Sequence, residues 1–433
     1  MDNKVKSVAS RVKLKSTQIF IVAGTVLMAM VISLICIGLT VRYEVDTDTV
    51  DAGSIGYWTM NLPPEQEEWF ARGVEDLRLT SKGTQRYKGE VKNVIVFLAD
   101  GVTTEMLARA RFGEDGNVTD YLWDSFPHLG VLKSSCGYTA NCDIFSMGTA
   151  LFGGVKTRMG LGGLDRRVEF QNCSQANMAT YHVQSIMEQA QAKQLRTGFI
   201  TTKRVTSNPV AALYAHTADT DWECDTAMPK EKRLSSDCLD VAEQLMNSET
   251  GQQLNVIMGG DWKATKLEEN VKFKLLETTK DLLKFNGTSR DYVLGIFANG
   301  NVREKSPAFS DMVSKALNVL RRPNSGYVFV AETDIRGNGV GDFRETLLEF
   351  NRTITDTLDN SRFSPESTLV LVAFMDFTQS SNDRVSSEDI LLFAKGPNSH
   401  LFHSIHDETY MAHVISYSLQ MGPFQPRNSK KKV

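Results

Sequence analysis

The sequence predicts an α/β fold with a mainly parallel central sheet, preceded by one membrane-spanning helix. Three observations carry this reading. Short apolar runs rich in β-branched residues, such as Asn93 to Leu98, end in acidic or glycine positions, here Asp100 and Gly101. Segments of helical period separate those runs, the alternation expected of strands joined by crossover helices. Finally, Ile19 to Val41 carries no charged side chain and is long enough to cross a bilayer.

Taken in order, residues 1–18 form a basic tail containing Lys4, Lys6, Arg11, Lys13 and Lys15, and 19–41 form the apolar span. The stalk, 42–56, is acidic after Arg42, with Glu44, Asp46, Asp48 and Asp51. This asymmetry predicts a signal-anchor of type II, with the N-terminus cytoplasmic and the rest extracellular or lumenal. The apolar core is longer than that of a cleaved signal peptide, and no A-x-A-like site ends it. Residues 57–423 read as one domain, since no low-complexity linker divides them and no repeat of fixed period appears. A basic tail, 424–433, closes the chain with Lys430, Lys431 and Lys432. A formal net charge of −4 and the lack of basic stretches interleaved with aromatics speak against nucleic-acid binding.

Within the domain the pattern predicts a helix over Pro64 to Leu77, the strand ending at Asp100, a helix from about Thr103 to Phe112 and a strand at His128 to Lys133. A loop over Ser135 to Asn141 leads to a small-residue helix over Met147 to Lys156. Further elements follow at His182 to Lys193 (helix), Thr197 to Thr201 (strand), Ala211 to Ala215 (a short element), Leu239 to Met246 (helix) and Asn255 to Met258 (strand). The second half reads as strand Tyr327 to Val330, helix Phe343 to Leu358, strands Thr368 to Ala373 and Ile390 to Ala394, and a closing helix Glu408 to Met421.

In parallel sheets ligands bind beyond the carboxyl ends of strands, so Asp100 stands where a site belongs. A competing role is to cap the helix that opens near Thr103. Acceptor triplets for N-glycosylation occur at Asn117, Asn172, Asn286 and Asn351, in keeping with an exported domain. Cys136, Cys142, Cys173, Cys224 and Cys238 follow the span and Cys36 lies inside it, so oxidised pairs are expected with one outer thiol left over. No Cys or His spacing suggests structural zinc.

Several long segments resemble the alkaline phosphatases. NVIVFLADG is similar to that family's first metal-binding strand, TALFGGVKTRMG to the helix after its nucleophile, TTKRVTSNPVAALYAHT to its magnesium-site segment, and DILLFAKGPNSHLFHSIHDETYMAHVI to its C-terminal strand and helix. The resemblance implies a three-layer α/β/α sandwich. It also implies a serine nucleophile activated by two zinc ions, an arginine that clamps the phosphoryl group, and a supporting magnesium ion. Cys173 and Cys238 match a family disulfide, whose closed loop of roughly sixty residues is worth about 4 kcal/mol in the loop-entropy model.

Carried over position by position, the chemistry is mostly missing. Asp100 matches the metal-bridging aspartate, but Ile144 stands at the nucleophile, beside Asp143 and Phe145. Ser207 and Pro209 replace magnesium-site residues, and Thr220 stands where the clamping arginine is expected. Aligned on Ile335, further ligand positions become Ala331, Arg336 and Val340; Met375 and Asp376 replace an Asp-His pair, and Val385 the last zinc histidine. A one-residue slip would restore Glu332 or Asp376 as carboxylate ligands, but such a slip reverses the face each side chain occupies. About a dozen residues, Phe377 to Ser387, replace the family's crown insertion, which leaves a homodimer without that contribution to its interface.

His400, His403, His406 and His413 form a tempting cluster, but three of them coincide with family histidines that are not ligands, so they and His216 read as structural. Ser146 and Thr149 lie near the nucleophile loop and, without zinc, have nothing to activate them. The expectation is therefore a membrane-anchored pseudoenzyme, Asp100 its remnant metal residue, with no cofactor and with a protein or phosphorylated ligand as partner. The alternative is a zinc- and magnesium-dependent phosphomonoesterase with an altered site using Asp100 with Ser146, Thr149, Glu332 or Asp376.

Overall fold

In the computed structural model, eight-residue strand β1, Asn93–Asp100, runs through the middle of a ten-stranded sheet. The structure describes residues 62–83, 89–112, 119–135, 143–234, 238–260, 272–297, 307–336, 340–379 and 385–425. The expected membrane span, the stalk and residues 426–433 lie outside them, as do Asn117, Cys136 and Cys142; Phe424, read from the sequence as the start of the tail, is instead buried in a 3₁₀ turn beside Phe70 and His413. Among the described residues no helix is long and apolar enough to cross a membrane.

The other strands of the large sheet are β2 His128–Lys133, β3 Arg196–Arg204, β4 Val256–Gly260, β5 Lys274–Leu276, β6 Val293–Ile296, β7 Tyr327–Asp334, β8 Thr368–Met375, β11 Ile390–Lys395 and β12 Ser404–Asp407. Their order is β12-β2-β11-β8-β1-β7-β3-β4-β6-β5. All neighbours are parallel except the two pairs made by β11, with β8 and with β2. The expected mainly parallel sheet is thus present. Strands β9 Phe377–Gln379 and β10 Val385–Ser387 form a separate antiparallel pair.

The helices that matter below are α1 Pro64–Gly83, α2 Thr104–Arg111, α3 Ile144–Gly153, α4 Ile186–Ala192, α5 Phe309–Leu320, α6 Val340–Leu358 and α7 Tyr410–Ser418. Strand β1 is buried along almost its whole length. One large apolar cluster gathers Ile95 and Phe97 from β1, Phe329 from β7, Val370 and Val372 from β8, and the inner faces of α5 and α6, including Met312, Leu317 and Phe350. Trp123 packs there against Phe350 and Phe374.

Several boundaries differ from the sequence reading for local reasons. The short element read at Ala211 to Ala215 is a 3₁₀ turn, Val210–Leu213, which follows Pro209, whose fixed φ suits the start of a helical turn. The closing helix starts only at Tyr410, because Ser404–Asp407 pairs with β2 as a strand. Strand β7 continues past Val330 to Asp334, carrying Glu332 into the interior. The helix read from His182 opens at Ile186, where Ser185 accepts from the Met187 and Glu188 amides and Glu188 answers the Ser185 amide.

Cys173 and Cys238 are joined by a disulfide across 65 positions, and Cys224 is a buried free thiol. Of the remaining glycosylation triplets, Asn286 is exposed. Asn351 sits inside α6, half-buried, and its Oδ1 accepts from the Leu122 amide at 2.8 Å, tying α6 to the segment before β2. Asn172 caps a short helix by accepting from the Gln175 amide.

His413, fully buried in α7, packs against Phe70 of α1 with ring centroids 4.7 Å apart. Its ring fills space that two glycines leave open. A Cβ on Gly73 would come within 2.2 Å of His413 Cδ2, and one on Gly154 within 2.7 Å of Cε1. Gly73→Ala should destabilise the fold by about 1–3 kcal/mol through overpacking, more than the better helix propensity of alanine returns. Urea denaturation of the two proteins measures this; equal midpoints would show that α1 can move away without cost.

Candidate functional site

The strand registers bring a set of charged side chains to one face of the sheet at its carboxyl end. Asp100 pairs with Asp334 of β7 and with Met375 of β8, and Leu98 pairs with Glu332. Glu332 in turn pairs with Thr201 of β3, and Lys203 follows Thr201 by two residues. Side chains alternate along strands, so Asp100, Glu332 and Lys203 project to the same side.

There they form an ion cluster. Lys203 Nζ donates to Asp100 Oδ2 and to the Asn208 carbonyl at 3.2 Å, and lies 2.6 Å from Glu332 Oε1. Arg336 Nη2 donates to Asp100 Oδ2 at 2.8 Å, while its Nε donates to Asp334 Oδ1 at 3.2 Å. The Thr201 hydroxyl donates to Glu332. Asp100 and Glu332 are wholly buried, and the Lys203 side chain is 9% exposed. Burial alone would strip the proton from Lys203, but the attraction of Glu332 and Asp100 outweighs it and holds the ammonium charged above its ordinary range. Burial pushes the Glu332 carboxyl upward, with Lys203 opposing. Asp376, 7% exposed, is likewise raised by burial while Arg336 works against the rise.

A glycine makes room for this arrangement. Gly101 has φ +82°, and a Cβ there would meet Arg336 Cγ at 2.1 Å, so the arginine stem lies directly against the backbone. Asp100 does not cap the following helix, contrary to one expectation. Thr103 does, its hydroxyl accepting from the Met106 amide at 3.0 Å, and Glu388 adds a bond from the Thr104 amide. Asp100 is instead occupied by cations.

The other positions singled out in the sequence are scattered or spent on structure. Ala331 lies in the apolar core and pairs with Phe97 and Ile200, on the opposite face from Asp100; Glu332, not Ala331, faces the cluster. Glu332 thus stands with Asp100 on the face that the sequence comparison assigned to its neighbour Ala331. Ile144 opens α3, half-buried, and Asp143 caps that helix by accepting from the Phe145 and Ser146 amides and, through Oδ2, from the Gly160 amide. Ser146 Oγ donates to the Asp143 carbonyl, and Thr149 Oγ1 donates to the Phe145 carbonyl while accepting from the Gly163 amide. Ser207 Oγ donates to the Arg204 carbonyl, Pro209 follows a cis peptide bond, and the Thr220 amide donates to the Gly160 carbonyl. Met375 is buried and its carbonyl accepts from the Gly101 and Val102 amides. The side chains of Val340 and Val385 lie outside the described residues.

The histidines are dispersed. His128 Nδ1 and His403 Nε2 share a bond of 2.7 Å, His406 stacks on Tyr410, and His413 sits in the core. His216 stacks on His182 with centroids 4.0 Å apart. Among the described residues no group of three or more His, Cys, Asp or Glu side chains is arranged to hold a metal ion.

Zinc or magnesium in the Asp100 cluster would need the carboxylates that Lys203 and Arg336 already hold. A divalent ion there would also face two fixed positive charges at close range in a medium that screens poorly. The donor set as arranged does not fit either ion. Lys203 itself went unnoticed in the sequence, since a lysine in TTKR reads as an ordinary solvent-facing residue. The signal that could have found it is its two-residue offset from Thr201 on a strand otherwise buried.

Comparison with known proteins places this fold. A family profile described as Alkaline phosphatase matches residues 91–373. The chain is 29% identical over 374 residues to alkaline phosphatase 4 of Drosophila melanogaster, covering 72% of this chain and 61% of that protein. It is 28% identical to the membrane-bound alkaline phosphatase of Bombyx mori, covering 65% and 59%, and 26% identical to the human tissue-nonspecific isozyme, covering 84% and 91%. It thus spans about three fifths of the two insect proteins. Among solved structures, the Thermus thermophilus alkaline phosphatase superposes with TM-score 0.61 at 15% identity, covering 80% of this chain and 94% of that one. The enzyme of the Antarctic bacterium TAB5 gives 0.57 at 18%, covering 78% and 100%.

Two measurements probe these contacts. Lys203→Met should destabilise the protein by about 3–5 kcal/mol, because it leaves Glu332 and Asp100 buried with less compensation, and adding Glu332→Gln should recover part of the loss. Denaturation of the single and double variants tests this; an additive double variant would mean that the pair is not coupled. Burial lowers both His182 and His216 to about 4. The folded state keeps them neutral while the unfolded chain takes up protons, so their contribution is present above about pH 6.5 and is lost as pH falls toward 4. Asp240, raised by burial to about 6, and Glu408, raised to about 7, act in the opposite sense. The difference in Tm between wild type and a His182→Gln/His216→Gln variant should therefore shrink on acidification. A difference independent of pH would contradict the assignment.

These matches, together with the parallel sheet and the carboxylate at the end of its central strand, show that the chain belongs to the alkaline phosphatase family.

Proposed function

We propose that this chain is a membrane-anchored family member that is catalytically silent and acts by binding or scaffolding. The observation that carries the reading is Lys203. Its ammonium, with the Arg336 guanidinium, supplies positive charge to Asp100 and Glu332, the carboxylates that a metal-dependent hydrolase would leave for its ions. Ile144 at the expected nucleophile position has no hydroxyl, and the nearby hydroxyls of Ser146 and Thr149 are bonded to helix backbone.

The apolar span 19–41 with its basic N-terminal flank supports anchoring with the ectodomain lumenal or extracellular. The name of the Bombyx mori relative, a membrane-bound alkaline phosphatase, is in keeping with an anchored protein. A protein or a phosphorylated ligand is the proposed partner.

The purified ectodomain should retain no stoichiometric zinc after dialysis and should not hydrolyse a phosphomonoester above background at alkaline pH. Ile144→Ser should leave both results unchanged, since a hydroxyl without an activating ion remains a poor nucleophile. Bound zinc with metal-dependent turnover would instead establish the altered hydrolase, in which Asp100 and Glu332 or Asp376 exchange Lys203 for a metal.

A further inference from the structure

At the other end of the same sheet, where β1, β3, β7 and β8 begin, lies an open cavity of about 950 Å³. It is bordered by the strand starts Lys92, Asn93, Leu195, Gly326, Tyr327 and Ser367. Since β1 is eight residues long, this cavity and the Lys203 cluster are separated by about 25 Å of strand. Nothing in the reading of the carboxyl-end cluster bears on it.

Its walls are cationic. Lys92, Lys193, Arg321, Arg322 and Arg362 line it, against the carboxylates of Glu90 and Glu366 alone. One of the five is committed to the fold: Arg322 donates to the Asn318, Gly287 and Arg290 carbonyls, and its Nε lies 3.7 Å from Asp291. The other four have no carboxylate within 4 Å among the described residues. Lys193 Nζ is bonded to the Leu419 carbonyl, and Arg362 Nη1 donates to Asn318 Oδ1 at 3.4 Å.

Arg321 is the most telling of them. It is half-buried at the end of α5, donates Nη1 to Asn360 Oδ1 at 3.2 Å in an exposed bond, and lies beside the Tyr327 hydroxyl, with Nε and Nη2 shut off from solvent and no carboxylate to face them. A guanidinium with donors turned away from water and no counter-ion favours negative charge nearby. Basic residues after α5 do complement its carboxyl end, but that accounts for Arg321 and Arg322 and not for Lys92, Lys193 and Arg362, which come from three other segments.

We propose that this cavity binds a small ligand bearing several clustered phosphate or sulfate groups. Its volume lies in the range of small-ligand sites. Lys92, Lys193 and Arg362 are exposed at its rim, so flexible cationic side chains can close on tetrahedral oxyanions from several directions, with Arg321 beneath them. Multiple anionic groups are required because the charges are spread around the opening; a single phosphate reaches few of them.

The test uses the full chain in detergent, titrated calorimetrically with tripolyphosphate, sucrose octasulfate and inorganic phosphate. Saturable, salt-sensitive binding is expected for at least one of the two polyanions, with inorganic phosphate much weaker, and the tighter polyanion identifies the headgroup chemistry. Lys92→Glu/Arg362→Glu, two exposed positions whose reversal spares the core, should weaken that binding by about tenfold or more. Arg336→Gln, at the opposite end of the sheet, should leave it unchanged. The proposal is overturned if neither polyanion binds saturably, if the double reversal has no effect, or if Arg336→Gln abolishes binding and so moves the anion to the other end.

Discussion

A buried ammonium held between two buried carboxylates is the constraint on which the centre of this protein depends. Lys203, Asp100 and Glu332 come from three adjacent strands, and none could be withdrawn from water without the others. Their meeting requires the registers of β3 with β7 and of β7 with β1 to be fixed to the residue, because a slip of one position would turn Glu332 into the apolar layer and bring Ala331 to the charged face. The ion cluster thereby specifies strand register as much as it contributes stability. Arg336 extends it outward, and the close passage of its stem over Gly101 ties the loop after β7 to the loop after β1.

Away from this centre the fold relies on ordinary packing and cross-linking. The apolar layer of β1, β7 and β8 against α5 and α6 supplies the bulk of the burial. The disulfide closes a loop of 65 positions that includes β3, and both of its cysteines belong to a smaller apolar cluster with Leu164, Trp222 and Met228. Histidines take structural roles throughout. His413 fills the gap left by two glycines, and the half-buried rings of His216 and His182 stack on each other.

Much of this was legible in the chain itself. The run ending at Asp100 is a buried strand, the helix read after it is present as α2, and Cys173 with Cys238 forms the disulfide implied by resemblance, whereas α5 was not read from its apolar spacing. What escaped did so for identifiable reasons. Strands β5 and β12 are only three and four residues long, too short for any period to register. Lys203 and Glu332 are charged residues in positions where charge argues against burial, and each is tolerated only because the other is there. Pairing of that kind depends on residues 129 positions apart meeting across two strands, and a local pattern does not contain it.

The same long-range pairing bears on what the carboxyl end of the sheet can do. A metal ion is exchangeable, so a site built on ions can be emptied and refilled, and its carboxylates must remain reachable while it is empty. A lysine tethered on β3 is not exchangeable, and once its ammonium is seated the carboxylates are compensated permanently. The cluster then needs no open coordination position and no path for an ion to enter, which agrees with the complete burial of Asp100 and Glu332. Lys203 thus holds the ends of β1, β3 and β7 in a fixed relation through Asp100 and Glu332, a role that a rigid tether serves as well as a bound ion would.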